Sequence, residues 1–316
     1  MLGLNALKGR LSNIHTPGGL PDIFVFATPR SGSTFLLELL HAQPGMKTYN
    51  EPLSVRKAAM RRALGVENWR EATILPNREE KYLSYFNALK TNKIPELNAP
   101  LYRRRGRFLT SRLVYKIIHG GEDLVPWFEE SLGALSIILI RHPIPTVLSH
   151  THFPRLPYYL DQPGLQNLLS ADQIRFTQHI IIDGSPFEQG IVDWCLQNVA
   201  PLVCHYDPGR IVLSYEELTL FPREIVSFLT PKLQLTPIKN LDRLITRPSG
   251  STTDSAQETR EFFDGMASDR YFLVEKWKRK VTGREERRAF EILNVYGIDC
   301  YEMDNFLPAQ KFRLIP

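Results

Sequence analysis

The chain has 316 residues, 43% of them hydrophobic and 23% charged, and a net charge of +5. These values suit one large or two small folded domains with a sizeable core, and they exclude extended disorder. The mild basic excess suits an anionic ligand without implying nucleic acid, and no run approaches the ~18–20 apolar residues of a membrane span.

Residues 1–21 read as a lead-in ending in Thr16-Pro17-Gly18-Gly19, and residues 22–316 as one domain with no linker sharp enough to divide it. Ile23–Ala27 is a short apolar run that predicts a buried strand, with a helix over Ser33–Gln43 after it. Helical patterns then cover Val55–Leu64 and Glu79–Lys90, before a strand at Leu113–Ile118 and a helix at Asp123–Leu132. A strand at Ser136–Ile140, a helix at Phe187–Cys204, a weaker strand at Ile211–Ser214 and a helix at Phe221–Leu229 complete the alternation. The C-terminal part is predicted helical over Gln257–Lys280 and Glu285–Val295, with Thr282-x-x-Glu285 as a capping box. Pro154–Leu168 and Arg247–Ser255 read as loops over a site. Strands alternating with helices predict an α/β, three-layer, P-loop-like fold. A central parallel sheet of four or five strands is flanked by helices, and the C-terminal part is helical.

The turn Thr28–Thr34 joins the first strand to the first helix in the stretch "FVFATPRSGSTFLLELL". Main-chain N–H groups of Ser31, Gly32, Ser33 and Thr34 converge there at the positive end of a helix dipole. Gly32 permits close approach, Ser33 and Thr34 add hydroxyls, and Arg30 adds a forked cation suited to phosphate or sulfate oxygens. Aligned with the GxxxxGK[ST] loop, Ala27 takes the place of the first glycine and Ser33 that of the lysine. A helix merely capped by Ser and Thr is the plain alternative.

A second strand–turn–helix, "SIILIRHPIPTVLSH", carries Arg141 at the strand end and Ser149 on the following helix. Both can converge on one anion at the carboxyl edge of the sheet; an ion pair and a surface serine are the alternative.

Together the two stretches resemble the sulfotransferase family that takes its sulfuryl group from 3′-phosphoadenosine 5′-phosphosulfate, in its carbohydrate and bacterial branch. "IVLSYEEL" at Ile211–Leu218, Arg247–Thr253 and "EKWKRK" at Glu275–Lys280 are weaker matches to the adenine strand and to the loop and Trp-bearing helix that close over the nucleotide. The resemblance spans about residues 22–295. It implies that Arg30, Ser31, Gly32, Ser33 and Thr34 hold the 5′-phosphosulfate. Arg141 and Ser149 would hold the 3′-phosphate. It places Phe35 and Tyr215 near the adenine, with Arg247 and Ser249 on the 3′-phosphate side. Phe35 also fits a core position, and Tyr215 a strand cap.

Sulfuryl transfer needs an in-line acceptor hydroxyl, a base and charge stabilisation on the leaving phosphate. Arg30 is the cation expected to act there; Lys116 reads either as a second one, reaching the bridging oxygen or the sulfuryl group, or as a surface lysine at a strand end. Glu51, in "TYNEPL", is the favoured base, in a position where the resemblance supplies a glutamate. A glutamate complementing a helix dipole is the alternative. His119 is the other candidate base. It follows Lys116 as Lys-x-x-His, one residue longer than the Lys-x-His of aryl and steroid sulfotransferases. Within a strand that extra residue turns the ring to the other face, unless the strand has ended.

No metal site is expected: His150 and His152 lie two apart and point to different helix faces. Arg103–Arg107 reads as a solvated loop, so no nucleic-acid partner is expected. Phe153, Tyr158 and Tyr159 suit an acceptor pocket or lid packing. The three cysteines, Cys195, Cys204 and Cys300, have no CxxC spacing and read as core thiols in a reducing compartment. A cytoplasmic enzyme with a hydroxylated acceptor and no stable membrane insertion is expected. A removed anchor and a homo-oligomer stay open, as does the acceptor: a glycan, a glycolipid or a small natural product. Two competing readings remain. One is a P-loop-type kinase or nucleotide hydrolase; the other is a nucleotide-binding protein without catalysis.

Overall fold

The computed structural model describes residues 13–94, 109–150, 153–238, 240–246 and 270–315. In chain order its strands are β1 (Ile14–His15), β2 (Ile23–Ala27), β3 (Met46–Asn50), β4 (Leu109–Thr110), β5 (Arg112–Ile117), β6 (Leu135–Ile140) and β7 (Ile211–Ser214). The five longer strands form one sheet in the order β3-β5-β2-β6-β7, and every pairing in it is parallel. The two shortest, β1 and β4, pair with each other.

Period-two alternation explains the layers. Ile23 and Val25 of β2 join an apolar cluster with Leu36, Leu37 and Leu40, from the helix α1 (Ser33–His41). Phe24 and Phe26 join a separate cluster on the other face. Both faces of the sheet are therefore dry at its centre, where β2 reads as a continuous apolar run. On the second face Phe24 lies 4.4 Å from Tyr115 and 4.9 Å from Phe128, ring centroid to centroid. Removing such a ring costs about 3–5 kcal/mol.

That face is covered by α2 (Ala58–Leu64), α3 (Trp69–Thr73), α4 (Arg78–Lys90), α5 (Val125–Leu132), α6 (Pro143–Leu148), α7 (Pro163–Gln166), α8 (Ala171–Asp183) and α9 (Pro186–Val199). The chain continues through α10 (Tyr215–Leu220), α11 (Pro222–Lys232), α12 (Leu241–Ile245), α13 (Tyr271–Glu275) and α14 (Gly283–Val295). Of these, α10, α11 and α12 add to the α1 face, whereas α14 packs on α9.

The three-layer architecture matches the sequence expectation, and so do β7, in full, and the Thr282–Glu285 capping box. The strand β3, "MKTYN", and the helix α8 are additions. Pro154–Leu168 contains a 3-10 turn at Leu156–Asp161 and then α7, so it is more ordered than a loop. Among the described residues no helix is long and apolar enough to cross a membrane. Cys195 and Cys300 are buried thiols, whereas Cys204 is exposed.

Candidate active site

Parallel strands end on one edge, and here each of the five longer strands delivers a candidate group to it. The Thr28–Thr34 turn follows β2, and Glu51 follows β3. Lys116 is the penultimate residue of β5, Arg141 follows β6, and Tyr215 follows β7.

Gly32 precedes α1 with φ 81°, and no side chain caps that helix. Phe35 N already donates to Gly32 O at 2.9 Å, whereas the amides of Ser33 and Thr34, the first two of the helix, have no intrahelical acceptor and offer donors at the positive end of the dipole. The Ser31 hydroxyl donates inward to the Thr28 carbonyl at 2.7 Å, which closes the turn. Arg30 is exposed and holds the left-handed conformation at φ 65°. Its carbonyl is thereby turned to accept a hydrogen bond from Arg141 Nη1 at 2.7 Å.

Arg141 also lies over the Tyr215 ring, 4.3 Å from guanidinium carbon to centroid. That ring presses on Gly32, where a Cβ would meet Tyr215 Cδ2 at 2.4 Å. Arg30, Gly32, Tyr215 and Arg141 are thus one interlocked group, although they come from three separate strand ends. Arg141 Nε is shielded from solvent and has no partner among the described residues. An unpaired guanidinium donor of this kind fits an anion.

Support for Arg141 comes from behind. Its carbonyl accepts a bond from Trp194 Nε1 at 3.1 Å. The next residue, His142, is fully buried and stacks on Trp277 at 4.5 Å, so the Trp of "EKWKRK" is core. Glu216 accepts from His142 N at 3.1 Å and from Tyr301 Oη at 2.7 Å. Burial pushes the Glu216 carboxyl up to about 7, against the pull of Arg141 and these donors. Burial also lowers the His142 imidazole to about 3, helped by Arg141 and Lys278.

On the other side of the turn, buried Lys116 reaches across from β5. Its Nζ donates to Thr34 Oγ1 at 3.4 Å and lies 3.1 Å from Glu51 Oε1. Main-chain bonding repeats the link, Glu51 N donating to Lys116 O at 2.9 Å. Glu51 is left-handed at φ 52°, so it and Arg30 both hold a conformation that costs non-glycine residues energy. The turn carrying Glu51 is braced by α4, where Tyr85 Oη donates to Pro52 O at 2.7 Å. Burial lowers the Lys116 pKa, and the Glu51 carboxylate opposes that shift.

His119 lies two residues beyond the end of β5, which stops at Ile117. Strand alternation therefore does not decide its direction, and the register argument against it lapses. It is half-buried, edge-on to Trp69 at 5.2 Å, with Nδ1 unpartnered. Burial holds the imidazole well below its usual pKa, with Arg155, His150 and Arg56 adding to the effect.

Other expected residues are more loosely connected. Ser149 is exposed and donates to Thr146 O at 2.9 Å, with no bond to Arg141. Phe35 is half-buried against the α1 cluster. Tyr159 is core, beneath Arg155 at 4.6 Å, whereas Phe153 is half-buried and edge-on to His150 at 5.2 Å. Arg247, Ser249 and the run Arg103–Arg107 lie outside the described residues. Among the described residues no three His, Cys, Asp or Glu gather as a metal site.

Sequence reasoning missed Lys57. It sits just before α2, and its Nζ folds back to donate to Asn50 O at the end of β3. Burial lowers its pKa; Lys116 adds to that and Glu51 opposes it, which sets Lys57 beside both. No motif marks it, because a turn rather than a strand brings it to the edge.

No protein-family model matches the chain, and no curated protein matches it at a significant level. Among solved structures it is similar to the sulfotransferase domain from the curacin biosynthetic pathway. Identity there is 18% over 90% of this chain and 99% of that one, with a TM-score of 0.46. The sulfotransferase domain from the Synechococcus PCC 7002 olefin synthase shows 19% identity over 90% and 97% of the two chains, with a TM-score of 0.46. Mouse sulfotransferase SULT7A1, complexed with PAP, shows 14% identity over 92% and 88%, with a TM-score of 0.42.

Proposed function

We propose that this protein transfers a sulfuryl group from 3′-phosphoadenosine 5′-phosphosulfate to an acceptor hydroxyl. One observation carries the reading: two separate anion anchors stand on one sheet edge. The first is the open helix start at Gly32 with Lys116 beside it. The second is Arg141, with a shielded and unpartnered Nε, at the end of the neighbouring strand β6. A donor with phosphate groups at both its 5′ and 3′ positions uses both anchors. A nucleoside triphosphate, whose phosphates form one chain, uses one.

In this reading Arg30 and the amides from Ser31 to Thr34 hold the 5′-phosphosulfate, and Arg141 holds the 3′-phosphate with Ser149 nearby. Tyr215, Phe35, Arg247 and Ser249 complete the nucleotide side. Glu51 takes the acceptor proton as the acceptor oxygen bonds sulfur. The bond from sulfur to the bridging oxygen breaks, and Lys116 and Arg30 stabilise the charge left on the phosphate. Lys116 supplies from β5 the cation that a triphosphate loop carries in its own sequence. Substrates of the carbohydrate and bacterial branch, a cytoplasmic location and the absence of a nucleic-acid partner belong to the same reading.

Thermal stabilisation by adenosine 3′,5′-bisphosphate, set against ATP with Mg²⁺, tests it. A ligand at 100-fold its dissociation constant stabilises by ~2.7 kcal/mol. Stabilisation by ATP–Mg²⁺ alone would install the kinase or hydrolase reading. Bisphosphate binding without transfer to any hydroxylated acceptor would leave a nucleotide-binding protein.

A further inference from the structure

Lys57 is a cation beside Glu51 that the transfer chemistry does not use. Its charge meets no carboxylate directly, for Lys116 occupies the Glu51 carboxylate at 3.1 Å. The partner of its Nζ among the described residues is the main-chain carbonyl of Asn50. A carbonyl brings no charge of its own, so Lys57 shares the one Glu51 carboxylate with Lys116 and keeps at least one N–H free. The side chain is half-buried, so part of its hydration is gone. A partly desolvated ammonium that shares its carboxylate with a second lysine gains from a further anion.

The surroundings repeat the sign. Arg56 is adjacent and exposed, without an ion pair to any described residue. Arg56, His150 and Arg155 all lie near enough to His119 to disfavour its charged form. Of these, Arg155 is neutralised by Glu122 at 2.6 Å. Trp69 and Phe153 supply apolar surface beside His119 and His150. Two ammonium groups, those of Lys116 and Lys57, therefore stand against the one Glu51 carboxylate.

We infer that Lys57, with Arg56 beside it, forms an anion subsite for the acceptor, and that the acceptor is a hydroxylated compound bearing a carboxylate or other anionic group near the reacting hydroxyl. The inference rests on the sulfuryl-transfer reading of the cleft. It adds the charge of the substrate, which that reading leaves open.

The test saturates the full chain with adenosine 3′,5′-bisphosphate, so that both donor anchors are filled. Ligand-observed NMR then measures binding of 3-hydroxybutyrate and of its methyl ester, which keeps the hydroxyl and loses the charge. The wild type should bind the acid at least ~5-fold more tightly than the ester, a coulombic preference expected of a partly desolvated ammonium. Lys57→Met should abolish that preference while its bisphosphate affinity stays within ~2-fold, which shows that the fold is intact; Lys57→Arg should keep the preference. Equal binding of acid and ester, binding of neither, or a preference that survives in Lys57→Met overturns the subsite. Failure of the bisphosphate itself to bind the wild type removes the donor reading first, and the subsite with it.

Discussion

The ammonium of Lys116 lies 3.1 Å from the carboxylate of Glu51 and 3.4 Å from the Thr34 hydroxyl. One buried cation thus joins the candidate base to the first turn of α1. The arrangement suits a reaction in which a proton leaves one end and negative charge grows at the other.

Glu51→Gln should leave bisphosphate affinity within ~2-fold and lower turnover by ~10²-fold or more, the usual scale of a lost general base. Lys116→Met should also lower turnover, yet keep stability within ~1 kcal/mol, because it removes a buried charge whose partner can rehydrate. Glu51 is 38% exposed, which makes that rehydration available. Steady-state kinetics and denaturant melts of both variants check this. Unchanged turnover in Glu51→Gln moves the base to His119, whose half-buried ring and open Nδ1 then become the site of proton transfer.

Arg141→Ala should weaken adenosine 3′,5′-bisphosphate binding by ~10- to 100-fold, since charge-assisted hydrogen bonds contribute about 1.5–3 kcal/mol. Arg141→Lys should not restore it. An ammonium cannot at once bond the Arg30 carbonyl, cover the Tyr215 ring and aim a third donor outward. Calorimetric titration of the two variants decides; a lysine that rescues affinity would reduce Arg141 to a point charge.

How much of this site was legible varies with how each residue reaches it. Residues carried by strands were readable, because an apolar run and its end can be seen in sequence: Thr28–Thr34, Lys116, Arg141 and Tyr215 all stand at such ends. The edge strand β3 was not, since "MKTYN" pairs on one side only and mixes Lys, Thr and Asn with its buried Met46 and Tyr49. The strand expected from Leu113 to Ile118 runs instead from Arg112 to Ile117, one residue earlier, which leaves His119 beyond its end. Helix α8 carried a Ser170–Gln173 capping box that went unread. Lys57 and the contact between Tyr215 and Gly32 depend on turn geometry and on long-range packing, which no local pattern records.

Gly32→Ala tests that contact. The left-handed φ of 81° alone costs a β-carbon about 1–2 kcal/mol. The added carbon also meets Tyr215 at 2.4 Å, so the ring must move, and with it the surface under Arg141. Bisphosphate affinity should therefore fall together with stability. If packing is the cause, a Tyr215→Ala background should relieve part of the stability loss, by ~0.5 kcal/mol or more for residues in contact. A strictly additive double variant would leave backbone strain as the whole effect.

The last prediction concerns pH. Burial raises the Asp193 carboxyl to about 7, with Glu122 adding to it and Arg155 and Gln197 opposing it. Glu216 is likewise raised to about 7. A carboxyl raised on folding contributes stability that is complete below its unfolded pKa of about 4 and is lost as pH rises through 7. The lowered histidines act oppositely: the His142 contribution is present above about 6.5 and lost as pH falls toward 3. The two slopes oppose each other between about pH 4 and 6.5, so the carboxyl effect is clean only above that window. From pH 6.5 to about 7.5, below the range in which Lys47, lowered by burial to about 8, adds stability with rising pH, the melting temperature of the wild type should fall. Asp193→Asn keeps an oxygen for the bond from Gln197 Nε2, now 2.6 Å long, and cannot ionise. Its melting temperature should fall distinctly less over the same range, and Glu216→Gln should remove another share. A wild-type slope that persists unchanged in both variants would place the titration elsewhere.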